Sequence, residues 1–131
     1  MKGKGVKGVI VISIIVLAVL LFFLVAGKSS PYNQSEVDEF AKCLTEKGAV
    51  MYGAFWCPHC MNTKKRFGSS FRYIKYVECD PRGEDQQAQL CISKNIEAYD
   101  TWEFTDGSRV IGEPSFQELG SGTGCIVPVK R

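Results

Sequence analysis

No acidic residue precedes Glu36, and no second Cys-x-x-Cys accompanies Cys57-Pro58-His59-Cys60. No basic stripe runs along the chain, no internal repeat divides it, and no lipobox-type cysteine stands near the end of its N-terminal apolar run. Each absence narrows the function. Zinc sites built on paired thiols usually use two such pairs at similar spacing, so the lone pair argues against one. The missing basic stripe argues against nucleic-acid binding. Sixteen Lys and Arg face fourteen Asp and Glu, a formal charge of +2. Lys2, Lys4 and Lys7 account for that excess, so the chain beyond them is near neutral.

What is present begins with Val9 to Ala26, an apolar run whose only polar member is Ser13. A run of about this length can cross a bilayer as a helix, and lysines before it with no acid hold the N-terminus in the cytoplasm. A cleaved signal peptide would carry an apolar region of about 7–15 residues and a small-x-small site; Leu24-Val25-Ala26 is a poor one. The expected organisation is a basic cytoplasmic N-terminus at 1–8, a transmembrane signal anchor at 9–26 and a linker at 27–34. An extracytoplasmic domain at 35–125 and a tail at 126–131 complete it. That domain is long enough for a single α/β unit with a modest core. Six cysteines suit an oxidising compartment.

The densest signal is Cys57-Pro58-His59-Cys60. Ala49 to Trp56 reads as a buried strand before it, and Met61 to Phe67 as a helix after it, closed by Gly68. That junction puts the Cys57 sulfur at a helix N-terminus, where unpaired N–H groups and the helix dipole stabilise a thiolate. Pro58 fits the first turn, where no N–H is missed. A protonated His59 adds positive charge nearby and tunes the pair. The thiolate is the reactive form, so Cys57 and Cys60 form a candidate redox centre that needs no cofactor.

Periodicity and turn signals place the remaining elements. Ser35 and Asp38 resemble a capping box opening a helix whose apolar positions are Val37, Phe40, Ala41 and Leu44, with Gly48 as its stop. Tyr73 to Glu78 alternates like a strand, Asp80 to Gly83 is a turn, and Glu84 to Lys94 reads as a helix. Thr101 to Thr105 and Arg109 to Ile111 are strands joined at Asp106-Gly107. Ser115 to Leu119 starts a last short helix, and Gly120 to Gly124 reads as a flexible tail.

This order, with Trp56-Cys57-Pro58-His59-Cys60 opening the second helix, resembles a thioredoxin-like domain. Gly48 to Cys60, Val77-Glu78-Cys79-Asp80 and Thr101-Trp102 resemble the domains fused to, or partnering, prokaryotic homologues of vitamin K epoxide reductase. The resemblance implies an α/β fold with a central mixed sheet flanked by helices. It implies exchange of disulfides with exported protein substrates, and electron transfer to a membrane quinone reductase of that type. Cys57 would be the exposed nucleophile, Cys60 the partly buried resolving thiol, and Trp56 part of the docking surface. Pro58 and His59 between the cysteines resemble the oxidising end of the superfamily.

Two positions depart from the family pattern. Met51 stands where thioredoxins carry a buried acid that assists the resolving thiol. Asp100 stands where a cis-proline normally precedes Thr101 in the docking segment. A cis bond before a non-proline costs about 2.5–4 kcal/mol, so a trans or strained bond is expected. Asp100 either turns to solvent or places a carboxylate that opposes His59 near Cys57. The four other cysteines allow three pairings. Cys79–Cys91 with Cys43–Cys125 ranks first, on the short loop between Cys79 and Cys91 and on the resemblance. A Cys79–Cys91 pair relaying electrons is the alternative. Rival functions are an outward-facing reductase, a binding module degraded at Asp100, and a metal site using Cys57, Cys60 and a carboxylate.

Overall fold

A computed structural model describes residues 4–26 and 30–131, with side chains at 8–22 and 30–131. Helix α1 (Lys4–Ala26) covers the long apolar run. Among the described residues no helix is long and apolar enough to cross a membrane. The expected transmembrane helix before the domain is therefore corrected. Lys2 and linker residues 27–29 lie outside the described residues.

The remainder is a mixed α/β unit. Helix α2 (Gln34–Glu46) is followed by strand β1 (Val50–Gly53), helix α3 (Pro58–Phe67) and a 3-10 turn over Gly68–Tyr73. Strand β2 (Tyr76–Glu78), helix α4 (Ala88–Ser93), strands β3 (Thr101–Glu103) and β4 (Arg109–Ile111), and helix α5 (Phe116–Thr123) complete it. The sheet order is β2-β1-β3-β4. β1 pairs parallel with β2 and antiparallel with β3, and β4 pairs antiparallel with β3.

Strand periodicity decides what each sheet face packs against. Met51 and Trp102 point into the main core, with Phe40 and Leu44 of α2, Phe67 of α3 and Phe116 of α5. Phe67 is central: its ring lies 4.9 Å from Phe116, 6.0 Å from Trp102 and 6.3 Å from Phe40. Tyr52 and Val77 point the other way, onto Cys79 and Cys91.

Local chemistry explains where the elements depart from expectation. α2 is capped by Asn33, whose side chain accepts from the Ser35 amide, and not by Ser35. α4 is shorter than expected because the turn after β2 continues. The Gly83 amide donates to the Asp80 carbonyl, Asp85 has φ 50°, and the Gln87 amide donates to the Glu78 carbonyl. α5 runs through the glycine-rich stretch expected as a tail. A Cβ at Gly122 would come within 2.6 Å of the Phe104 ring, so glycine lets the helix lie directly on that aromatic. Ser115 starts α5 with a full capping box to Glu118, and Gly124 ends it in the left-handed region.

Two disulfides bind the unit. Cys43 of α2 joins Cys125 beyond α5 across 82 positions, and Cys79 after β2 joins Cys91 of α4 across 12.

Candidate active site

β1 runs to Gly53, and Ala54 to Trp56 turn the chain into α3. The turn closes when the Cys57 amide donates to the Ala54 carbonyl at 3.0 Å. Cys57 is the N-cap residue of α3 in extended geometry, with no side-chain capping bond, and Pro58 sits in the first turn. The Cys57 sulfur therefore stands at the positive end of a helix whose last turn carries Lys64, Lys65 and Arg66.

Cys57 and Cys60 are both free thiols. Cys57 is 5% exposed and Cys60 is fully buried. Cys57 is thus less open than the exposed nucleophile expected, because the Tyr99 backbone closes over it. Its thiol donates to the Tyr99 carbonyl at 3.7 Å. Burial pushes the Cys60 thiol up to about 12, and the neighbouring Cys57 sulfur and Asp100 carboxylate add to the rise. A backbone hydrogen bond with Ala54 works in the opposite direction. Gly53 makes this placement possible, since a Cβ there would lie 2.6 Å from the Cys60 sulfur.

Trp56 is half exposed beside Cys57, and so is Phe55. The Trp56 indole N–H donates to Asp80 Oδ2 at 2.6 Å, and its ring meets Tyr99 edge-on. Arg82 grips the Asp80 carboxylate through its backbone and guanidinium N–H groups and reaches over the Phe55 ring. Hydrogen bonds from Arg82 and Trp56 hold the Asp80 carboxyl far below the usual carboxylate range. Trp56 is fixed at its polar end while its apolar face stays open.

His59 is paired with a carboxylate. Its Nδ1 lies 3.2 Å from Glu113 Oε2, and Glu113 also pairs with Arg66 at 3.5 Å. The hydrogen bond from His59, then Asn62 and the Arg66 charge, lower the Glu113 carboxyl. Any positive charge on His59 is therefore shared with Glu113, which sequence reasoning did not single out.

The Tyr99–Asp100 bond is cis, where a trans or strained bond was expected. Asp100 does not turn to solvent; it is fully buried. Its Oδ2 accepts from the Thr63 hydroxyl at 2.7 Å and its Oδ1 from the Glu113 amide at 2.7 Å. The carboxylate pins the start of β3 to α3 and to the loop before α5. Thr101, also buried, donates its hydroxyl to the Ala98 carbonyl. Among the described residues no group of three or more His, Cys, Asp or Glu side chains is arranged to hold a metal ion. Of the donors considered for one, the Asp100 carboxylate is engaged with Thr63 and the Glu113 amide.

An Asp100→Asn substitution removes one of the negative charges that raise Cys60 while keeping a side chain of the same size. The Cys60 thiol is expected to titrate below its wild-type value. Thiol absorbance across a pH series in a Cys57→Ser background measures it, and an upward movement would contradict the assignment of Asp100.

The chain is similar to a plant protein of named activity. It is 38% identical over 104 residues to the thiol-disulfide oxidoreductase LTO1 of Arabidopsis thaliana. The match covers 76% of this chain and 26% of that protein, so the chain spans about a quarter of the length of the curated relative it matches. No family model matches.

Proposed function

We propose that this chain is a thiol-disulfide oxidoreductase in which Cys57 and Cys60 are the redox pair. The observation that carries the proposal is the asymmetry of the two sulfurs. Cys57 caps a helix N-terminus beside the open face of Trp56, whereas Cys60 is fully buried and its thiol is pushed up to about 12. Such a pair exchanges disulfides in two steps. Cys57 forms the mixed disulfide with a partner protein, and Cys60 resolves it. The similarity to a thiol-disulfide oxidoreductase supports the same reading.

The direction is oxidation or isomerisation of protein substrates in an oxidising compartment. Two disulfides close the domain and suit that setting. Pro58 and His59 between the cysteines point to the oxidising end of the superfamily, and a quinone reductase of the vitamin K epoxide reductase type is the partner that would reoxidise the pair. Trp56, with Phe55 beside it, would line the substrate segment, while the buried Asp100 and Thr101 would hold the loop behind it.

A thiol-trapping redox titration, resolved by peptide mass, tests this. The Cys57–Cys60 couple is expected to exchange reversibly well above about −200 mV, nearer the strong periplasmic oxidants at about −120 mV than the reducing thioredoxins at about −270 mV. A value close to that of the thioredoxins assigns the chain to outward reduction. A pair that does not exchange removes the enzymatic reading.

A further inference from the structure

We infer that Tyr76 and Glu78 form a proton relay serving the Cys60 thiol; this rests on the redox pair proposed above. Resolution of a mixed disulfide needs Cys60 deprotonated, yet its sulfur is fully buried. A proton acceptor must then lie within the protein. Met51 offers none. The strand beside it does.

β1 and β2 run parallel, with Met51 opposite Tyr76 and Gly53 opposite Glu78. Residues opposite each other in a sheet share a face, so Tyr76 and Glu78 stand on the face that carries Gly53 and Cys60. Both groups approach Gly53. A Cβ there would lie 2.6 Å from the Cys60 sulfur, 3.0 Å from Tyr76 Cε2 and 3.4 Å from the Tyr76 oxygen. Thiol and phenol thus both lie close to Gly53. The Tyr76 hydroxyl donates to Glu78 Oε2 at 2.7 Å, and Glu78, 6% exposed, takes the Asp80 amide on Oε1 at 2.9 Å.

The phenol is a conduit and not a store of charge. Burial first, then the bond to Glu78, raises Tyr76 well above the ordinary phenol range, so it stays an O–H donor. Other groups face the relay. Lys64 of α3 lies 3.8 Å from the centroid of the Tyr76 ring, the Cys57 sulfur acts on Tyr76, and the Asp100 carboxylate acts on Cys60. Tyr99 also shares the fields of Glu78 and both sulfurs.

In a mixed disulfide on Cys57, the Cys60 sulfur attacks Cys57 Sγ. The Cys57–Cys60 bond forms, the bond from Cys57 to the partner sulfur breaks, and its electron pair leaves as the partner thiolate. The Cys60 proton moves to the Tyr76 oxygen as the Tyr76 proton moves to Glu78. In the oxidising direction the same atoms run backwards: Cys60 leaves as a thiolate and takes its proton from Tyr76, refilled from Glu78.

The test uses the full chain, reduced and mixed with 5,5′-dithiobis(2-nitrobenzoate) in a stopped-flow instrument. Attack by Cys57 releases one nitrothiobenzoate, and resolution by Cys60 releases a second. Tyr76→Phe and Glu78→Gln are each expected to slow the second release about 10²-fold and leave the first unchanged. The second phase should then rise in proportion to hydroxide, where the wild type is flat around neutrality. Unchanged second phases in both variants overturn the relay alone, as does equal slowing of both phases, which marks a structural role. Tyr76→Phe keeps the ring packed under Lys64 and guards against misfolding in the Glu78 variant. A wild-type chain that releases only one equivalent overturns the redox pair and the relay together.

Discussion

Replacing Cys57 by serine is expected to abolish disulfide exchange, while replacing Cys60 by serine is expected to trap partner proteins on Cys57. The asymmetry follows from where each sulfur sits. With Cys60 pushed up to about 12, it is held as the thiol at neutral pH. It cannot open the reaction alone. Cys57 sits at the N-cap of α3 and is the less buried of the two. Losing Cys57 removes the entry point. Losing Cys60 leaves entry intact and removes the exit. Mixed disulfides are counted by non-reducing electrophoresis and mass spectrometry after acid trapping. Exchange that survives Cys57→Ser at about a tenth of wild type or more would refute the assignment.

The second large effect is on stability. Exchanging both Cys43 and Cys125 for serine is expected to cost about 4–5 kcal/mol, and the same change at Cys79 and Cys91 about 3 kcal/mol. The difference arises because the first link closes a loop of 82 positions and the second one of 12, so the first removes more freedom from the unfolded chain. A loss of about 4–5 kcal/mol approaches the whole stability of a small domain, about 5–15 kcal/mol. Cys125 also anchors the end of α5, a short helix with Gly120 and Gly122 inside it. Urea denaturation of the two double variants decides the order. The Cys79/Cys91 variant proving the less stable would show that native-state packing around Tyr52 and Val77 outweighs the loop effect.

Several features of the site were legible one residue at a time. Pro58 in the first turn, Gly68 at the end of α3, the Asp106-Gly107 turn and the apolar spacing of α2 each act through their own backbone or immediate neighbours. Others were not. Ser35 looked like the cap of α2 because capping chemistry is shared among Ser, Asp and Asn, and the choice of Asn33 is a matter of a small shift in register. Gly120 to Gly124 looked like a tail because glycine lowers helix propensity; contact with Phe104 overrode that preference. The run at 9–26 was expected to span a bilayer on its hydropathy, and no described helix meets the length and apolarity required.

The sequence alone determined the thiol pair, its position between a strand and a helix, and the periodicity that makes a mixed α/β unit, since these depend on short-range spacing. Tertiary structure decided the partners. It turned His59 to Glu113, closed Tyr99 over Cys57, buried Asp100 against Thr63, and brought Tyr76 and Glu78 of a neighbouring strand to the face that holds Cys60. These contacts join residues far apart in the chain. Their strength comes from burial and from the register of β1 against β2, quantities that no local pattern encodes.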